Sequence, residues 1–243
     1  MERRVTVSTS KEPAKIAGMF DAIARRYDTL NRVLSAGSDV RWRRRAVRAL
    51  ELTGVERVLD VCTGTADLAI EAAAGSSGHA ARVVGVDFAG AMLAIGHAKV
   101  QRAGLADRVQ LVRGDATRLP VPDESFDAAM VAFGIRNVVD TNAGCRELRR
   151  VVRPGGRVAI LEFGMPRVPG LGAAYRSYFR HILPRVGRLV SRHSDAYSYL
   201  PASVAEFPSG DAFVTLLRTA GFSSVRVVRM AMGAVYLYVA ERD

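Results

Sequence analysis

A chain of 243 residues with 49% apolar content can bury a full core, and its length suits one large domain better than several. No stretch reaches 18 uncharged apolar residues, and the first 20 residues carry charges without an apolar run, so neither a membrane span nor an export signal is expected and the chain is placed in the cytoplasm. Cys62 and Cys145 are too few for a disulfide framework and lack metal-ligand spacing, so no metal is expected.

The net charge of +11 attracts nucleic acid and anionic membrane surfaces alike. Only Lys11, Lys15 and Lys99 are lysine among 35 basic residues, an arginine skew that genome composition produces as readily as function. Both readings stay open. The arginines cluster at Arg41–Arg48 around Trp42 and at Arg176–Arg192.

Residues 1–13 are polar, end in Pro13 and are expected to be disordered. From Ala14, the positions Ile16, Met19, Phe20, Ile23, Tyr27 and Leu30 recur at helical spacing and predict an amphipathic helix that Gly37 ends. Ser38 or Asp39 caps a second helix carrying Trp42, Ala46, Val47 and Leu50. This pair, residues 14–52, precedes the sheet and must lean over its edge or its crevice. Met19, Phe20 and Ile23 are expected in the core, whereas Tyr27, Asp28 and Asn31 crowd polar groups at a helix end and divide evenly between packing and function.

The chain is organised around Arg57–Ala69: a buried strand ending in Asp60, a tight loop through Gly64 and Thr65, and the opening turn of a helix. Strand and helix then alternate. Strands are predicted at 82–86, 109–112, 126–133 and 158–163, the last entered through Gly155-Gly156, with a helix capped near Asp140 or Thr141. An excursion, Gly164 to Pro208, interrupts the order. Ser209 then caps a helix to Gly221, and 225–228 and 235–239 close the sheet as an antiparallel pair. The expected fold is α/β, a mostly parallel seven-stranded sheet with helices on both faces and right-handed crossovers.

If the first three strands run outward from the centre, Asp60, Asp87 and Asp115 line one crevice, where ligands bind in open parallel sheets. A strand-end aspartate taken singly more often caps the next helix. Three in register, with Gly64 and Thr65 between the first two, favour a nucleoside, its ribose on Asp87. The loop lacks the dinucleotide fingerprint, no Walker lysine follows it, and no arginine clamp suits a triphosphate. An adenosine joined to an amino acid fits best, which points to S-adenosylmethionine: its amino-acid end on the Cys62–Thr65 loop, its adenine by Asp115-Ala116.

Four blocks in order then resemble the ubiquinone/menaquinone biosynthesis C-methyltransferase family of class I methyltransferases, from Met19 to about Tyr236. They are Tyr27-Asp28-x-x-Asn31 through Leu34-Ser35-x-Gly37 to Trp42; Phe133-Gly134-Ile135-Arg136-Asn137-Val138; Arg150 to Arg157 through Leu161-Glu162-Phe163; and Tyr197-x-Tyr199-Leu200-x-x-Ser203. The resemblance implies a Rossmann-like fold, residues 14–243 as a single methyltransferase domain, a cofactor site at Asp60, Gly64, Thr65, Asp87, Asp115 and Ala116, and a polyprenylated quinol as acceptor. It departs at three places: Ala132 replaces a serine, Asp39 a histidine, and Met232-Gly233-Ala234-Val235-Tyr236-Leu237-Tyr238 a Gly-Gly-x-Val-Ala-Leu-His end.

Carbon methylation of a quinol needs a stabilised phenolate and an in-line approach. Arg136 is the candidate to favour the phenolate, with Asn137 orienting the ring, although an arginine at this corner equally suits an ion pair. Asp28, Tyr27 or water could accept the proton, and His181 and His193 qualify by type. The excursion, 164–208, carries an apolar face of Leu171, Tyr175, Tyr178, Phe179, Ile182 and Leu183 flanked by arginines, suited to a lid or to an anionic bilayer. A homo-oligomer is compatible with all of this. Alternatives are another phenolic or prenylated acceptor, an RNA methyltransferase, and a cofactor-binding module without catalysis. Nucleic acid is not expected, because the chain has neither a Pro-Pro-aromatic motif after the fourth strand nor a Pro-Cys nucleophile.

Overall fold

The computed structural model describes residues 12–75, 79–166 and 195–243. Most of the segment expected to be disordered, the arginine-flanked apolar face of the excursion, and His181 and His193 lie outside the described residues. The elements run α1 (Pro13–Leu34), α2 (Ser38–Arg48), β1 (Arg57–Val61), α3 (Asp67–Ala74), β2 (Arg82–Asp87), α4 (Gly90–Arg102), β3 (Val109–Arg113) and β4 (Phe126–Ala132). A 3₁₀ turn (Ile135–Asn137) leads to α5 (Thr141–Val151) and β5 (Val152–Phe163); α6 (Asp195–Glu206), α7 (Asp211–Thr219), β6 (Ser224–Met230) and β7 (Val235–Glu241) complete the described chain.

The seven strands lie in the order β3-β2-β1-β4-β5-β7-β6, so the first three do run outward from the centre. All described pairings are parallel except those of β7, which is antiparallel to both β5 and β6. The sheet is therefore mixed. Val58 to Val61 are buried on both faces because Val58 packs under α2 and α3, whereas Leu59 and Val61 pack under α5 and α7. Each such apolar side chain contributes about 1.5–3 kcal/mol by burial.

Three boundaries differ from the sequence expectation for identifiable reasons. Strand β5 begins at Val152, before the Gly-Gly turn, because Gly155 N–H donates to Arg242 O (2.6 Å) and Gly156 O accepts from Arg242 N–H (3.1 Å). Neither Ser38 nor Asp39 caps α2. Gly37 precedes it in a left-handed conformation (φ 74°), while the Asp39 carboxylate takes Arg43 (2.5 Å) and Ser35 (2.9 Å). Helix α7 likewise starts from Gly210 (φ 72°), not from Ser209. Asp140 does cap α5, accepting from Ala143 N–H at 3.0 Å.

The C-terminal departure from the family pattern begins at the exposed Met232 and runs into the core. Tyr236, Leu237 and Tyr238 are buried, and Tyr238 accepts a hydrogen bond from Gly210 N–H (2.6 Å) while its ring meets Phe213 edge-on at 4.8 Å. Burial pushes the Tyr238 phenol up. No helix among the described residues is long and apolar enough to cross a membrane.

Candidate active site

Strands β1, β2 and β4 deliver their carboxyl ends to one place, in a register that sets Asp60 between Gly85 and Met130. The loop after β1 turns back by alternating left-handed residues, Cys62 (φ 56°), Gly64 (φ 55°) and Ala66 (φ 65°). Only at Gly64 is the position open: a side chain there would meet no atom within 4 Å. The β4 corner is pressed against this loop, since a Cβ at Gly134 would lie 2.3 Å from that of Cys62. Phe133, also left-handed (φ 57°), stacks on Phe163 at 4.4 Å. Such strained backbone gathers where a ligand must be approached closely.

Two cavities share Cys62, Asp87, Gly134 and Asn137. The larger, about 360 Å³, extends past Asp115 and Ala116 and is roofed by Ile16 and Ala17 of α1. That volume falls within the range of about 300–1,000 Å³ usual for small-molecule sites. The smaller, about 30 Å³, is walled by Phe20, Tyr27 and Phe133. Helix α1 thus closes the crevice from above.

Asp87 stands at the junction. Its carboxylate accepts from Gly64 N–H (2.8 Å) and Ala89 N–H (2.9 Å), leaving lone pairs for two further donors. Burial raises its pKa, and those amide bonds oppose the rise. Asn137 is the second polar group. Its Oδ1 is buried and meets no donor among the described residues. Cys62 remains a thiol, its pKa raised by burial and then by Asp87, and so is no nucleophile. Burial likewise pushes the Tyr27 phenol up, against its hydrogen bond with Asn31.

Several sequence candidates face elsewhere. Asp60 is 1% exposed and lines neither cavity; its Oδ2 accepts from Thr63 Oγ1 (2.6 Å), and burial raises its pKa to about 7. Thr65 is also buried and turned away, donating to Asp28 Oδ1 at 2.6 Å. Asp28 in turn holds Lys99 at 2.8 Å and lines neither cavity. Arg136 lines neither cavity. Its Nη1 donates to Glu162 Oε1 (2.8 Å) and Phe133 O (2.5 Å), and its Nε donates to Ser203 Oγ (3.3 Å). The ion pair closes the β4 corner.

Sequence reasoning missed Glu162, Lys99 and the cavity-facing role of Phe20. Phe20 lies one heptad before Tyr27, so both project from one side of α1. Lys99 carried a faint signal as the only lysine after residue 15.

An acid at the tip of β2, an open glycine at the first corner and an apolar chamber bounded by Asp115-Ala116 fit adenosine carrying a cationic amino-acid tail. The buried negative charge of Asp87 disfavours a pyrophosphate. Two solved structures share the architecture: a [4+2]-cyclase, SpnF (TM-score 0.66, 19% identity, covering 93% of this chain and 95% of that one), and an S-adenosylmethionine-dependent methyltransferase of Thermotoga maritima (TM-score 0.63, 20% identity, covering 93% and 100%). The fold and the site define a class I S-adenosylmethionine-dependent methyltransferase.

The family follows from sequence. The ubiE/COQ5 methyltransferase family profile matches residues 7–242, and the chain belongs to that family. It is 44% identical over 233 residues to the ubiquinone/menaquinone biosynthesis C-methyltransferase of Geobacter sp. strain M21, covering 96% of this chain and 98% of that one. It is 46% identical over 224 residues to the demethylmenaquinone methyltransferase of Thermus thermophilus, covering 92% and 100%.

Proposed function

We propose that the protein transfers a methyl group to a ring carbon of a polyprenylated quinol, demethylmenaquinol in the first instance or the corresponding ubiquinone-pathway quinol. The observation that carries this reading is the unpartnered Asn137 Oδ1, buried where the donor cavity meets the aromatic chamber of Phe20, Tyr27 and Phe133. S-adenosylmethionine supplies an electrophilic methyl group when bound. Asn137 accepts a hydrogen bond from the quinol hydroxyl, setting the face of the ring toward that methyl; the hydrogen on the methylated carbon then leaves as a proton to the ring oxygen, which restores aromaticity as the quinol re-forms. The aromatic side chains of Phe20, Tyr27 and Phe133 flank the reacting ring, and in-line approach supplies much of the acceleration. Asp87 and the Gly64 backbone hold the donor's nucleoside, with Asp115-Ala116 beside its base. The phenolic proton leaves to water, since Asp28 lines neither cavity.

Residues 14–243 act as one domain in this reading, with 164–208 as the acceptor-side lid. In support, Ser203 of α6 accepts from Arg136, in the turn that carries Asn137. A cytoplasmic protein visiting the bilayer surface suits an acceptor with a polyprenyl tail and a chain of net charge +11. The test is transfer of label from methyl-labelled donor to demethylmenaquinol, with quinones extracted from cells lacking the chain as the cellular counterpart. Labelled product and an accumulating quinone one methyl lighter are expected. Labelling of RNA instead of quinol would overturn the reading.

A further inference from the structure

Helix α1 roofs the donor cavity, and its attachment is polar as well as apolar. Asp21 and Asp28, one heptad apart on one side of the helix, are its two anchors, with Ala24 between them packed on Ala89 and Met92. Asp21 Oδ1 accepts from Ala91 N–H at the start of α4 (2.9 Å). Asp28 reaches the loop after β1, taking Thr65 Oγ1 at 2.6 Å and Lys99 Nζ of α4 at 2.8 Å. Lys99 also bonds Asp67 at the start of α3 and Thr65 Oγ1 (3.3 Å). Its ammonium therefore has three acceptors for its three donors, an arrangement that the planar fork of arginine does not reproduce. In a chain whose other described cations are, Lys15 apart, all arginine or histidine, a lysine stands where Asp28, Thr65 and Asp67 meet.

The surroundings make this ammonium hard to replace. Arg43 and Arg32 reach the other oxygen of Asp67, at 3.5 and 4.0 Å, and both also bond Asp39. Three cations balance three carboxylates across α1, α2, α3 and α4. Without Lys99, Asp28 faces Asp67 with no cation between them, and the repulsion acts to lift α1 from the glycine loop it covers.

We infer that Lys99 is a positioning residue for the methyl donor: by joining Asp28, Thr65 and Asp67 it holds α1 closed over the donor cavity. The inference concerns the donor half of the site and is independent of which acceptor is methylated.

The test compares wild type with Lys99→Met, Lys99→Arg and Asp28→Asn, using calorimetric binding of S-adenosylhomocysteine and the rate of trypsin cleavage at Arg25 and Arg26 of α1 in the donor-free protein. Loss of a charge-assisted anchor predicts binding about tenfold or more weaker in Lys99→Met. Cleavage within α1 should speed up, with a melting temperature close to wild type. Lys99→Arg should fall between the two, keeping the charge without the three-way geometry. A folded Lys99→Met that binds with wild-type affinity and is cut no faster would overturn the inference. Should Lys99→Met fail to fold, Asp28→Asn decides in the same way, because it removes the charge Lys99 holds while keeping an acceptor for Thr65. Absence of binding by wild type itself would remove the donor from the cavity and the inference with it.

Discussion

Arg136 and Glu162 form an ion pair, 2.8 Å from Nη1 to Oε1, in which the carboxylate is fully buried and the guanidinium nearly so. Glu162 also accepts from the backbone N–H of Arg136 (3.2 Å) and of Phe163 (2.8 Å), so one side chain of β5 ties down the turn that carries Asn137. Removing one partner of a buried pair leaves the other uncompensated and costs about 3–5 kcal/mol. Glu162→Gln is therefore expected to lose that much stability in urea unfolding. Arg136→Met together with Glu162→Gln should recover part of it, because no guanidinium is left unpaired and the amide oxygen still accepts from a backbone N–H, and Arg136→Ala should lower turnover through the misplaced turn.

Asn137 has the opposite profile. Because its Oδ1 serves no donor among the described residues, Asn137→Ala should change unfolding stability by no more than about 1 kcal/mol. Loss of the acceptor that orients the quinol hydroxyl misplaces the ring and costs on the order of 100-fold in turnover. Parallel unfolding and labelled-methyl assays separate the two effects.

Asp87 holds the donor loop and offers its remaining lone pairs to the ribose. In Asp87→Asn one carboxylate oxygen becomes an amide donor facing Gly64 N–H or Ala89 N–H, so loop and ligand both lose an acceptor. Binding of S-adenosylhomocysteine should weaken about 10- to 100-fold, as for lost hydrogen bonds to a charged group. Calorimetry at neutral pH measures it directly.

Asp60 gives the protein a pH dependence of definite sign. Burial raises its pKa from 3.8 to about 7 in the folded state, so the native protein holds a proton that the unfolded chain releases. Its contribution to stability is complete below about pH 4 and is lost as pH rises through about 7. Asp60→Asn, which cannot ionise, should show a flatter melting temperature between pH 5 and 8 than wild type. The two curves should diverge toward high pH.

The order of elements and the crevice at the ends of β1, β2 and β4 were legible in the sequence, because buried parallel strands must be continuously apolar and must stop where the chain turns. Asp87 was legible for the same reason: a strand-end acid beside a glycine corner has little freedom in where it lies. Family membership rested on local blocks, which survive in order along the chain whatever their packing.

Side-chain direction was not legible. Arg136, Thr65 and Asp28 occupy the expected corner, yet Glu162, 26 residues away, and Lys99, 34 and 71 residues away, turn them from the cavity. These partners come from other strands and helices. A hydrogen bond depends on distances of a few tenths of an ångström, which are set only when the sheet order brings such elements together. The amino-acid order thus determined the strands, the crevice and the acid that marks it, while packing alone decided which polar groups face a ligand and which bind one another.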